Sequence, residues 1–110
     1  MSEAGKQRQD AMINANRIHK ALASPLRRNI LVWLKSPADA FPAGYVDFGH
    51  GVPAHTIQTR SGRSQSTVSA HLAVLVEAKL LVSTRVGQWM FLSRNEEVIR
   101  TFADQVYRHL

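Results

Sequence analysis

Apolar residues recur along the first part of the chain with the period of a helix. Ala11, Ala15, Ile18 and Leu22 fall at i, i+4, i+7 and i+11, which predicts a first helix beginning at Ala11. Ser24 then precedes Pro25. A capping hydroxyl followed by proline at the first helical position, where the missing N–H costs nothing, opens a second helix. Leu26, Ile30, Trp33 and Leu34 form its inner face, and it stops near Ser36-Pro37 because a residue before proline avoids helical geometry. A third helix is expected from Ala54 to about Arg60, followed by a turn at Ser61-Gly62-Arg63. The N-cap Ser64 opens a fourth helix that runs to Lys79, with Val68, Leu72, Leu75 and Lys79 along one face and Val76 beside it. Leu80 to Arg85 and Trp89 to Ser93 are rich in strand-forming residues, and Val86-Gly87-Gln88 between them signals a hairpin. Asn95 caps a last helix, with Glu96 and Glu97 at its positive end. Its apolar rows are Val98, Phe102, Val106 and Ile99, Val106, Leu110.

One stretch breaks the pattern. Residues 36–53 hold three of the four prolines, three glycines and three aromatics without a helical period. Irregular connections longer than about 12–15 residues are uncommon in compact domains and are often functional. Tyr45 to Phe48 is the part that can form a short strand.

A length of 110 residues suits one core. We therefore expect a polar, flexible N-terminal arm over residues 1–10 and a single domain over residues 11–110. The fold class is mainly α with a small β-hairpin, about five helices and a two-stranded wing: the order helix, helix, helix, turn, helix, hairpin, helix is that of a winged helix-turn-helix.

Charge sharpens this picture. Fourteen Lys and Arg face eight Asp and Glu, a net charge of +6, which favours a polyanionic partner. The excess is +5 over residues 1–35 and +4 over residues 54–94, whereas residues 36–53 and 95–110 are slightly acidic. With no cysteine, disulfides, thiolate metal sites and thiol redox switches are excluded. No apolar run reaches the roughly 18 residues of a membrane span, and the N-terminus lacks a signal-peptide stretch, so a cytoplasmic protein without membrane contact is expected.

The fourth helix carries the chemistry. Val68, Leu72 and Leu75 anchor it, while Gln65, Ser66, Thr67 and Ser69 offer short donors and acceptors at its amino end. Such a helix can enter a major groove: small side chains permit close approach, glutamine pairs in bidentate fashion with adenine, and the helix N-terminus favours phosphate.

Four stretches, in this order, resemble the ArsR-type (arsenic-repressor-like) winged-helix repressors: Ala21 to Leu31, Ser64 to Leu72, Leu75 to Leu81, and Arg85 to Phe91. From first to last they span residues 21–91. The resemblance implies a homodimer formed by the first and last helices, bound as a repressor to a pseudo-palindromic operator in double-stranded DNA and released by an inducer. By position, Ser64, Gln65, Ser66, Thr67, Ser69 and His71 match the family's DNA-reading helix, and Arg85, Gly87 and Gln88 match its wing. The chain departs from the pattern at Arg63, where an apolar residue is usual, and at Gln58, where alanine is usual. Arg63 thereby becomes a further candidate phosphate contact. The paired cysteines of arsenic sensors and the spaced Asp and His ligands of zinc sensors are missing, so no inducer carries over.

Other residues have two readings each. His71 is a DNA contact or a cap on its helix surface, and Arg27 and Arg28 are phosphate contacts or a solvated face. Trp33 and Trp89 read as packing residues, and His19 and His109 as exposed or dimer-interface positions. Effector candidates are Tyr45, His50 and His55, with Asp47 nearby, but two histidines five residues apart are too few for a metal, and no cofactor is expected. The rival to a DNA-binding regulator is a winged-helix protein-interaction module with no operator of its own. No nucleophile elbow, phosphate-binding glycine loop or metalloprotease signature supports an enzyme.

Overall fold

Capping side chains set where four of the helices begin. The side-chain oxygens of Asn14, Ser24, Ser64 and Asn95 accept hydrogen bonds from the N–H groups of Arg17, Arg27, Thr67 and Val98, at 3.0, 3.3, 3.2 and 3.2 Å. The computed structural model describes residues 13–41 and 49–110. Its helices are α1 (Ala15–Ala21), α2 (Pro25–Lys35), α3 (Pro37–Ala40), α4 (Ala54–Ser61), α5 (Gln65–Glu77) and α6 (Glu96–His109). Its strands are β1 (Val52–Pro53), β2 (Leu81–Val86) and β3 (Trp89–Arg94). The described residues are thus mainly helical, with a small antiparallel sheet in the order β1-β3-β2.

This adds two elements to the expected five helices and two strands. Both lie in the stretch 36–53. Pro37 starts the single turn α3, and Val52–Pro53 pairs with Leu92 and Phe91 of β3. Proline is tolerated in β1 because it is an edge strand. The approach to that edge is tight: a Cβ on Gly51, whose φ is +105°, would collide with the Leu92 carbonyl. The strand expected at Tyr45–Phe48 and the arm at 1–10 lie outside the described residues.

Boundaries shift where local chemistry outweighs periodicity. Residues 13 and 14 are not helical, so the first helix begins after Asn14 and not at Ala11. The fourth predicted helix, α5, ends at Glu77 and not at Lys79. Lys79 adopts φ 67°, and the N–H groups of Lys79 and Leu80 donate back to the carbonyls of Val76 and Leu75 at 2.9 and 3.0 Å. That is a Schellman termination with lysine where glycine is usual, so Lys79 leaves the buried row. The hairpin loop is two residues, Gly87-Gln88, since Val86 pairs with Trp89.

The core is continuous. Ile18 of α1, Ile30 of α2, Ile57 of α4, Leu75 of α5 and Leu92 of β3 are completely buried and belong to one cluster. Arg94 joins the sheet to the helices: it donates to the Leu31 carbonyl of α2 at 3.1 Å and makes a two-pronged bond to Glu96 at 2.7 and 3.1 Å. Those bonds from Arg94 hold the Glu96 carboxyl below the usual carboxylate range, against a smaller opposing effect of burial. Among the described residues no helix is long and apolar enough to cross a membrane.

Candidate nucleic-acid interface

The geometry at α5 follows from one apolar row and one glycine. Val68, Leu72 and Leu75 lie at i, i+4 and i+7, and all three are buried. The opposite side of the first turns, Gln65, Ser66 and Ser69, is therefore exposed. Gly62 ends α4 in the left-handed conformation at φ 70°, which lets the chain reverse within Ser61–Arg63 and start α5 at once. First-turn N–H groups have no carbonyl ahead of them, so partial positive charge gathers at this end.

Two of the expected contacts are already engaged locally. The Ser64 hydroxyl accepts from the Thr67 N–H as the cap and donates to the Thr67 hydroxyl at 2.9 Å. Thr67 is half-buried, whereas Ser64, Gln65, Ser66 and Ser69 face outward. Arg63 is exposed in the turn, and its side chain makes no hydrogen bond or ion pair among the described residues. The same holds for Arg85 on β2, which stands beside Gln88 at the exposed end of the hairpin.

His71 lies two turns into α5, half-buried, and its Nδ1 is 2.9 Å from an Nη of Arg27. Arginine only donates, so Nδ1 accepts and the ring proton sits on Nε2. Burial, then the charges of Arg27 and Arg63, push the His71 pKa below its ordinary value. Arg27 also donates to the carbonyls of Ala21 and Lys20 at 2.6 and 3.3 Å, and Arg28 donates to Leu22 at 2.7 Å. Both arginines cap the carbonyl end of α1, Arg27 half-buried and Arg28 still exposed. The signal was present in Ser24-Pro25, since a helix opened there sets both arginines in its first turn, beside the end of α1.

The two histidines pack against different rings of β3. His50 tilts against Phe91 with ring centres 5.4 Å apart, and His55 against Trp89 at 5.3 Å. Among the described residues no three His, Cys, Asp or Glu side chains gather as a metal site would need. Tyr45 lies outside the described residues. Of the tryptophans, Trp33 packs against the core as expected, whereas Trp89 departs from the packing expectation. Trp89 is 54% exposed, and Trp33 is only half-buried, edge-on to Phe41 and covered by the Arg60 guanidinium at 5.0 Å.

Four of the candidate residues, Gln65, Ser69, Arg85 and Gln88, converge with His55 and Trp89 around one open cavity of about 510 Å³ between α4, α5 and the hairpin. Gln58, the departure noted in the sequence, lines it too.

No protein-family model matches the chain. It is, however, 36% identical over 89 residues to the uncharacterized HTH-type transcriptional regulator YbzH of Bacillus subtilis (strain 168), covering 79% of this chain and 89% of that relative. The chain belongs to the HTH-type transcriptional regulators. In such a helix-turn-helix regulator the motif needs two helices joined by a tight turn, and α4, the turn at Gly62 and α5 meet that need.

Proposed function

We propose that the protein is a winged helix-turn-helix repressor of the ArsR type, binding a pseudo-palindromic operator in double-stranded DNA as a homodimer. The observation that carries the reading is the exposed, polar amino end of α5, held by a buried row, with Arg63 in the turn before it and Arg85 on the hairpin both without a side-chain partner among the described residues. α5 is the recognition helix and the β2–β3 hairpin the wing. Gln65, Ser66 and Ser69 read base edges, Ser64 and Thr67 keep the helix end in shape, and His71 holds its flank against Arg27. Arg63, Arg85 and Gln88 lie along the phosphate backbone and supply the salt-dependent part of the affinity.

A second face supports the homodimer. On α6, Val98 is buried and Phe102 is edge-on to His19 of α1 at 5.0 Å, while Tyr107 and Leu110 are 87% and 97% exposed. The exposed apolar residues at the end of α6, the helix that meets α1 through Phe102, are what a two-fold partner would cover.

Selection of bound sites from a random duplex pool tests the reading. It should return two inverted half-sites about one helical turn apart, bound by a protein that sediments as a dimer. A pool that shows no enrichment, together with a monomer at micromolar concentration, contradicts it.

A further inference from the structure

The cavity beside Trp89 has a composition that a DNA backbone alone does not use. Its floor is apolar, from Val68, Leu72 and Met90, and its rim carries one cation, Arg85, with the amides of Gln65 and Gln88 and the hydroxyl of Ser69. Among the described residues no Asp or Glu lines it. Its volume of about 510 Å³ is within the usual range of ligand pockets, and a few convergent polar groups over an apolar base is their usual make-up. Trp89 is the unusual part. It is more than half exposed and pairs with the ring of His55, itself exposed, so two flat aromatic surfaces stand at the mouth. A phosphodiester strand passing Arg85 would satisfy the cation yet leave the apolar floor and the indole uncovered, because B-form DNA keeps its bases stacked.

We infer that this cavity binds a small planar aromatic carboxylate, and that the bound acid excludes DNA from the protein. The carboxylate pairs with the Arg85 guanidinium, whose planar fork matches it, and the amides of Gln65 and Gln88 are within the same rim. The ring lies over Val68, Leu72 and Met90 with its face or edge toward Trp89. Since Gln65, Ser69, Arg85 and Gln88 are also the residues proposed to meet DNA, one molecule in this position removes several contacts at once. Exclusion is therefore direct and needs no change of conformation. The exclusion half of this inference rests on the proposed DNA-binding reading; the site itself does not.

The probe is 2-naphthoate, with 2-naphthylmethanol as the uncharged control. In the ligand arm, DNA is left out and the indole N–H resonance of Trp89, assigned with Trp33→Phe, is followed during titration. A saturable shift is expected, at least tenfold weaker affinity with Arg85→Gln or Trp89→Ala, and at least tenfold weaker binding of the alcohol. Both substituted side chains are exposed, so the fold tolerates their loss. In the DNA arm, 2-naphthoate should raise the apparent Kd for the selected duplex in proportion to its concentration. Absence of a saturable shift, or a shift that Arg85→Gln leaves unchanged, overturns the site. Binding of 2-naphthoate with unchanged DNA affinity overturns the exclusion. A protein that binds the acid but no duplex keeps the site and overturns the regulator reading, so the two failures are told apart.

Discussion

Two sets of arginines in the molecule do opposite things. Arg27, Arg28, Arg60 and Arg94 each donate to a backbone carbonyl of a neighbouring element: Ala21, Leu22, Ala40 and Leu31, at 2.6, 2.7, 2.5 and 3.1 Å. Arg63 and Arg85 have no side-chain partner among the described residues. The first group commits its charge to backbone carbonyls, at helix ends for Arg27, Arg28 and Arg60 and within α2 for Arg94, while the second leaves its charge available to an anion. A net charge of +6 is therefore a poor guide to the strength of an anionic contact. What matters is which cations remain unpaired on one face, and among the described residues Arg63 and Arg85 are two such cations at α5 and the hairpin.

Substitutions should separate the two groups. The largest effect is expected from Arg94→Ala. Its side chain is only 12% exposed and ties α2, β3 and the start of α6 together. Urea unfolding should show a loss of about 2–3 kcal/mol, the range for charge-assisted bonds left unmade, with the slope of DNA affinity against salt unchanged. Arg27→Ala comes next, at about 1–2 kcal/mol, because it frees two carbonyls and the His71 ring in a half-buried setting.

The same contact sets a pH dependence. A histidine whose pKa is lowered on folding binds fewer protons in the native state, so its contribution is complete above the unfolded value near 6.5 and is lost as pH falls through the lowered native value. Unfolding midpoints should drop as pH falls below about 6.5. His71→Asn, whose Oδ1 can accept from Arg27 without titrating, should flatten that drop; an equal drop in the variant would contradict the assignment.

Arg85→Gln belongs to the other group. Its stability should stay within about 0.5 kcal/mol of the parent. The logarithmic salt slope of duplex binding should instead become shallower by about 1. Lys79→Gly relieves a left-handed lysine at the end of α5 and should raise stability by about 0.5–1 kcal/mol, read from the denaturant midpoint.

Much of this was legible in the sequence because it depends on local chemistry. Ser24-Pro25, Ser64 and Asn95 mark helix starts by their own hydrogen bonds, and Val68, Leu72 and Leu75 mark a buried face by spacing alone. What was not legible depends on partners distant in the chain. The pairing of Val52 with Leu92 joins residues forty apart, so neither β1 nor the three-stranded sheet shows in any short window. The end of α5 at Lys79 escaped for a different reason: glycine usually marks such an exit, and lysine gives no warning. The site was readable as a set of polar positions on one helix. Its convergence with the hairpin, and the exposure of Trp89 beside His55, came only with the tertiary arrangement.

The central claim is that the free end of α5 reads sequence, and Gln65 tests it most directly. Affinities of the parent and of Gln65→Ala should be measured on the selected operator and on each of its single-base variants at one salt concentration. The account predicts that the substitution lowers affinity by about 1–3 kcal/mol and erases the preference at one base pair of each half-site, leaving the other positions as they were. A preference profile identical to that of the parent at every position would contradict it.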